Sequence, residues 1–226
     1  MPSRPSSETP GKAGDALANA AALTPRLVEL FAESRDGAGS GFILAQLGGL
    51  ARKGMLLWVQ DRDSLRDQGR PYPHWRRTET RGGFLHVAAG EPAQALWAME
   101  EGLRCPELSA VIGEIAGNPR ALDFTATRRL AVAAERYGIP CFLLRWNAQA
   151  DLSGARMRWR VASRPSLEHP LDADAPGAPV WSLELFRARG SPPGQWLASH
   201  DRAADRLDLV SPLRDPALDE GERGKG

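Results

Sequence analysis

From Leu27 onward, short apolar runs alternate with amphipathic stretches along the chain. Five of the apolar runs have the length and composition of buried strands, and they lie at residues 27–31, 55–59, 84–88, 108–115 and 139–144. Between them, the spacing predicts helices at 42–50, at 91–104 and from Asp123 or Thr125 to Tyr137. Because apolar strands separated by helices form right-handed βαβ crossovers, the pattern predicts an α/β fold, a mostly parallel sheet with helices on both faces.

After residue 144 the apolar pattern changes to a period of two. Apolar residues Met157, Trp159 and Val161 alternate with the basic residues Arg156, Arg158 and Arg160, as in a strand with one polar face. We expect the apolar side chains to anchor this strand and the three arginines to face outward. Further strands are predicted at 181–186, 195–199 and 207–210, so the second half is expected to be antiparallel and to extend the sheet.

Composition divides the chain into three parts. Residues 1–24 are polar and contain prolines, and we expect them to be disordered or loosely helical. Residues 25–213 form one predicted domain, and residues 214–226 form a charged, glycine-rich tail that we expect to be disordered. Since no apolar run approaches the length of about 18 residues that a membrane span needs, the protein is expected in the cytoplasm.

Charge and metal-binding residue types exclude several functions. The net charge of +1 argues against strong binding of nucleic acid through a global field. The two cysteines, Cys105 and Cys141, lie in apolar contexts, and the four histidines are scattered along the sequence. The sequence therefore predicts no metal site and no cofactor.

The first predicted strand–helix junction has the glycines of a phosphate-binding loop without its central chemistry. Such a loop holds a nucleotide with backbone N–H groups and a lysine, and magnesium with a serine or threonine. Here the corresponding residues are Gly37, Ala38, Gly39, Ser40 and Gly41, and the lysine position falls on Ala38 or Gly39. Asp36 adds a repelling charge. We predict a degenerate nucleotide loop, which is either a plain tight turn or a relic that binds another anion.

Acidic residues follow two of the predicted parallel strands, where ligand chemistry is commonly placed. Glu114 ends the fourth strand, and Asp61 and Asp63 follow the second. Without a lysine or a magnesium-binding hydroxyl nearby, we interpret Glu114 as a capping or salt-bridged acid. Asp61 and Asp63 are interpreted as the solvated start of a charged helix. No catalytic residue is predicted.

Two arginine-rich segments are candidates for partner binding. The loop at 70–81 contains Arg70, Trp75, Arg76 and Arg77, a composition that suits an exposed loop, a protein hot spot or single-stranded nucleic acid. The second segment comprises Arg156, Arg158 and Arg160 together with Arg187 and Arg189. These arginines either discourage edge-to-edge association or receive an acidic partner or a phosphate backbone.

The order of elements resembles the core of the RecA ATPases. Residues 28–31 resemble the strand before the phosphate loop, and residues 109–114 resemble the strand whose terminal acid contacts the magnesium shell, with Glu114 in that place. Residues 187–194 resemble an arginine-bearing hairpin. More specifically, residues 27–213 are similar to the ImuA family, the degenerate RecA-like proteins of bacterial mutagenesis cassettes. The similarity is strongest over 95–145, with further matches at 158–161 and 192–194.

This resemblance implies a RecA-like core and a non-catalytic accessory factor induced by the SOS response. The implied partners are RecA, the inactive Y-family polymerase homologue ImuB and an error-prone DNA polymerase, with the protein on the nucleoid after DNA damage. Direct DNA binding is weakly indicated. Two alternatives stay open, a DNA-binding RecA paralogue that modulates recombination filaments and an ATPase with an atypical phosphate loop. Residues 1–24 match no part of the family pattern, and the loop at 73–81 is more basic than expected.

Overall fold

The computed structural model describes residues 26–47, 54–72, 83–172, 174–201 and 206–210. The predicted N-terminal segment 1–24, the tail 214–226 and the candidates Trp75, Arg76 and Arg77 lie outside these residues. In chain order the elements are β1 (Leu27–Ala32), α1 (Ala38–Leu47), β2 (Met55–Gln60), α2 (Arg62–Gln68), β3 (Phe84–Ala88), α3 (Pro92–Gly102), β4 (Leu108–Ala116), α4 (Phe124–Tyr137), β5 (Cys141–Trp146), β6 (Met157–Arg164), β7 (Val180–Ala188), β8 (Gly194–Asp201) and β9 (Arg206–Leu209).

The strands form one sheet with the order β3-β2-β4-β5-β1-β6-β7-β8-β9. The first six strands in this order are parallel to one another, and β7, β8 and β9 continue the sheet in antiparallel fashion. Helix α1 packs on one face with the cluster around Phe42 and Trp159, and α3 and α4 pack on the other around Met99 and Leu130. The predicted α/β class, a largely parallel sheet extended by antiparallel strands, is therefore confirmed.

The direction of β6 corrects one expectation. It pairs parallel with β1, so the antiparallel part begins only at β7. The connection from β5 to β6 is an extended loop that packs against the first turn of α4, where the N–H of Gly154 donates to Thr127 Oγ1 at 3.0 Å. A Cβ on Gly154 would lie 2.7 Å from the backbone Cα of Arg128. Because this crossover contains no helix, the sequence pattern gave no sign of a parallel partner.

Helix boundaries follow local hydrogen bonding. Asp123, rather than Thr125, caps α4, since its carboxylate accepts from the N–H of Ala126 at 2.7 Å, and Gly138 ends the helix with a φ of 71°. Strand β5 begins two residues later than predicted, after Pro140, whose missing N–H removes a ladder hydrogen bond. Within the described ranges, no helix has the length and hydropathy needed to cross a membrane.

Candidate functional site

The carboxyl ends of β2, β4 and β5 meet at one edge of the sheet, beside the first turns of α1. A cleft of about 450 Å³ opens there between α1 and the segment that follows α2. Its inner wall contains Trp58, Gln60, Glu114 and Trp146, and Tyr72 lies on its lining as well. This edge is where ligands bind in open α/β sheets, so it is the first place to look for chemistry.

Glu114 is held by three neutral donors inside this cleft. Its carboxylate accepts from Trp58 Nε1 at 2.7 Å, from Trp146 Nε1 at 2.9 Å and from Gln60 Nε2 at 3.1 Å, and the residue is only 2% exposed. Burial raises the pKa of the Glu114 carboxyl above its usual range, and the three hydrogen bonds only partly oppose this effect. The interpretation as a capping or salt-bridged acid was wrong, because the two indoles that bind it lie on other strands.

The degenerate nucleotide loop is mostly the first turn of α1, which begins at Ala38. Asp36 lies just before this turn, and its carboxylate accepts from the N–H of Ala38 at 2.9 Å and from the N–H and hydroxyl of Ser163. Burial alone would raise the pKa of Asp36, but the hydrogen bonds from Ser163 and Ala38 outweigh it and lower the pKa. A carboxylate therefore occupies the helix terminus where a phosphate would otherwise be stabilised.

Close packing accounts for two of the loop's glycines. A Cβ on Gly39 would lie 2.7 Å from Leu144 Cδ1, and a Cβ on Gly41 would lie 2.9 Å from Trp181 Cζ2. Ala38 is completely buried. The predicted lysine position thus faces the core, and a long cationic side chain at Ala38 or Gly39 would have to displace packed apolar atoms.

Asp61 is a buried structural acid. Its carboxylate accepts from the N–H of Ser64 at 2.8 Å, which caps α2, and from the N–H of Ala116 at 3.3 Å. The expectation of a solvated helix start was therefore wrong for Asp61, which is 2% exposed, and right for Asp63, which pairs with Arg66 at the surface. Both oxygens of Asp61 bind backbone N–H groups, so they hold the strand ends together.

Arg158 is buried rather than exposed, which corrects the predicted stripe of outward arginines. Its Nε donates to Glu29 Oε2 at 2.7 Å, and Arg145 Nη1 donates to Glu29 Oε1 at 3.0 Å. The side chains of Arg158 and Glu29 are 5% and 0% exposed. Burial lowers the pKa of Arg145, and the charge of Glu29 opposes this shift. One carboxylate on β1 therefore joins β5 and β6 through two guanidinium groups.

The two neighbours of Arg158 in the pattern are also paired. Arg156 forms a two-fold contact with Glu135 of α4, whose pKa is lowered by that hydrogen bond. Arg160 donates to Glu184 at 3.0 Å and lies 4.2 Å from the ring centroid of Phe186. The spacing of the arginines gives no sign of these acids, because Glu135 comes from α4 and Glu184 from β7.

The remaining candidates lie at the surface of the described residues. Arg187 lies one residue before the end of β7 and is exposed, Arg189 lies in the turn before β8, and Arg70 is exposed at the cleft. Arg187 belongs to β7, the strand that pairs with β6, and Arg189 follows that strand. Arg70 lies apart from them, at the cleft. No group of His, Cys, Asp and Glu suited to a metal is found among the described residues.

No family model matches the chain. The chain is 30% identical over 155 residues to Protein ImuA of Caulobacter vibrioides, in strain NA1000 and equally in strain CB 15. The similar region covers 63% of this chain, and the chain spans 62% of the length of these relatives. This confirms the resemblance to the ImuA family.

Proposed function

Because the chain is similar to Protein ImuA, we propose that it is a non-catalytic accessory factor in SOS-induced translesion DNA synthesis and mutagenesis. In this role it bridges RecA, the inactive Y-family polymerase homologue ImuB and an error-prone DNA polymerase. It acts in the cytoplasm and on the nucleoid after DNA damage.

The hydrogen bonds of the Glu114 carboxylate are the main support for the non-catalytic part of this proposal. An acid that assists a nucleotide reaction must offer an oxygen to magnesium or to water. The oxygens of Glu114 instead accept hydrogen bonds from Trp58, Gln60 and Trp146. Burial in the cleft wall raises the pKa of this carboxyl. Asp36 further disfavours a triphosphate at α1, because like charges repel at that helix terminus. The sheet edge is built for stability rather than for phosphate chemistry.

Partner binding is then assigned to the surface around the start of β6 and the end of β7, which we name the strand surface. It comprises Arg156, Arg160, Arg187 and Arg189, and Arg158 supports it from below through Glu29. Exposed arginines beside an aromatic ring, as Arg160 beside Phe186, are typical of protein hot spots. The loop that begins at Arg70, with Trp75, Arg76 and Arg77, is a second candidate.

Direct DNA binding through the same surface is the alternative function. Two of its cations are already neutralised, Arg156 by Glu135 and Arg160 by Glu184. This lowers the number of counterions that a phosphate backbone would release, and with it the affinity. The pairing favours a protein partner.

Co-purification with RecA and with the ImuB-type homologue, in the presence of nuclease, tests the proposal. We expect both proteins to be retained after nuclease treatment, and the double change Arg187→Glu and Arg189→Glu to weaken retention at least about tenfold, because like charges across an interface cost several kcal/mol. Arg164→Glu, at an exposed position at the end of β6, is the matched control and should bind like the wild type. Retention that disappears with nuclease would instead favour the DNA-binding paralogue.

A further inference from the structure

The outer faces of α3 and α4 enclose a groove that is separate from the strand surface and from the sheet edge. Its volume is about 320 Å³, the size of one or two side chains. From α4 it is lined by Arg128, Arg129, Val132, Arg136 and Tyr137. The other wall contains Glu100 of α3 and Arg104, which follows the end of that helix. Since these positions on α4 recur at intervals of three and four residues, they form one continuous face of the helix.

Two of the four arginines in the groove remain available for a partner. Arg129 donates to Glu100 at 2.8 Å, and Arg104 donates to Glu101 at 2.7 Å, so these two are neutralised within the protein. For Arg128 and Arg136, no ion pair is formed with any residue that the structure describes. The guanidinium of Arg136 lies 5.5 Å from the ring centroid of Tyr137. The groove therefore carries excess positive charge.

Large apolar side chains are exposed beside these charges. Val132 and Tyr137 are 51% and 42% exposed, and Trp97, which precedes Glu101 by one turn on α3, is 65% exposed. Their neighbours on the inner faces, such as Leu96 and Leu130, are buried in the core, so the folded domain does not require the outward ones. Exposed tryptophan and tyrosine next to arginine are enriched where proteins bind one another.

We propose that the α3–α4 groove is a docking site for an acidic segment of a partner protein that carries a large apolar side chain. The apolar side chain packs on Val132 and Tyr137, and acidic residues on either side of it pair with Arg128 and Arg136. This docking site is distinct from the strand surface to which the proposed function assigns partner binding.

A nucleic acid fits this groove less well. Two of its four arginines are already paired with Glu100 and Glu101, so a run of evenly spaced phosphates would meet few unpaired cations. A peptide can place neutral or donor groups opposite these acids, and it can supply the apolar side chain that the exposed aromatic residues favour. Charge and apolar contacts together therefore select a protein segment.

Fluorescence anisotropy with the full chain tests the proposal. The probe is a labelled peptide of about 16 residues whose helix has leucines on one face flanked by glutamates; its analogue carries glutamine for each glutamate, and a labelled oligothymidine represents nucleic acid. At low salt we expect saturable binding of the acidic peptide in the range of about 10 to 100 µM. The glutamine analogue should bind at least about tenfold more weakly, because the charge pairs are lost.

Variants place the binding in the groove. The double change Arg128→Glu and Arg136→Glu should weaken peptide binding at least about tenfold, and Val132→Asp should weaken it as well by removing an apolar contact. Both changes are at exposed positions, so the melting temperature should stay within a few degrees. Arg164→Glu makes the same substitution once at an exposed position on β6, and it should bind like the wild type.

Three results would overturn the proposal. They are no saturable peptide binding up to about 1 mM, equal weakening by Arg164→Glu and by the groove variant, and tighter binding of the oligothymidine with the same loss in the groove variant. None of these results bears on retention of RecA or of the ImuB-type homologue through the strand surface. Failure of the groove and failure of the proposed function are therefore distinguishable.

Discussion

Trp146 Nε1 donates a 2.9 Å hydrogen bond to Glu114 Oε2 across two neighbouring parallel strands. Trp146 ends β5, Glu114 lies two residues before the end of β4, and Trp58 of β2 donates to the same carboxylate at 2.7 Å. A carboxylate at this edge of a parallel sheet commonly binds a ligand or a metal. In this protein the Glu114 carboxylate joins three strands by hydrogen bonds. The proposed loss of nucleotide chemistry follows because these bonds occupy its oxygens.

Removal of Arg158 should destabilise the fold strongly. Arg158→Met leaves one oxygen of the buried Glu29 without its cation, and breaking a buried pair in this way costs about 3 to 5 kcal/mol. Arg160→Met is the matched control, because the Arg160 side chain is 53% exposed and its pair with Glu184 contributes about 1 kcal/mol or less. Urea denaturation of both variants measures the difference. Equal stabilities would mean that Glu29 gains nothing from Arg158.

Gly39 should tolerate no side chain. In Gly39→Ala the new Cβ meets Leu144 Cδ1 inside the core, and overpacking of this kind costs about 1 to 3 kcal/mol. At Gly37 nothing lies within 4 Å of a Cβ, so Gly37→Ala is the control and should be close to neutral. Thermal unfolding compares the two. A neutral Gly39→Ala would argue that the glycine reflects a function other than close packing.

Asp36 should contribute stability that depends on pH. Its pKa in the folded protein is lowered, so its contribution is present above the usual aspartate value of about 3.9 and is lost as the pH falls through the lower folded value. Asp36→Ala removes the bonds to Ala38 and Ser163 and should cost about 1 to 2 kcal/mol at neutral pH. Unfolding free energies of the two proteins, measured from pH 7 downward, should differ by a constant amount above about pH 4 and begin to converge below it.

Asp63→Ala serves as the control for that series. Asp63 is an exposed acid in the first turn of α2, and its pair with Arg66 lies at the surface. Its loss should change stability by about 0.5 kcal/mol or less. If the stability difference for Asp36→Ala is constant across the pH range, its charge is not what stabilises α1.

Much of the sheet could be predicted because its buried strands appear in the sequence as short apolar runs. β3 matches its predicted bounds, α4 begins after Asp123 as its capping side chain indicates, and Pro92 opens α3. Such signals are local, since each depends on residues within one turn or one strand. Parallel order and helix layers then follow from the alternation of the elements.

Side-chain partners brought together by the fold could not be predicted in this way. Arg158 has the same spacing as Arg156 and Arg160, yet only Arg158 meets the buried Glu29, which is 129 residues away in the sequence. Glu114 likewise meets Trp58 and Trp146 from two other strands. A period-two pattern places a residue on a face, and only the sheet order decides whether that face is covered.

Binding of ATP tests the central claim most directly, and thermal shift with the full chain measures it. We predict that magnesium-ATP at millimolar concentration leaves the melting temperature unchanged, because Asp36 occupies the start of α1 and Glu114 is held by three donors. A ligand at 100 times its dissociation constant would add about 2.7 kcal/mol, a shift of several degrees in a chain of this size. A clear upward shift, repeated with a non-hydrolysable analogue, would contradict the account.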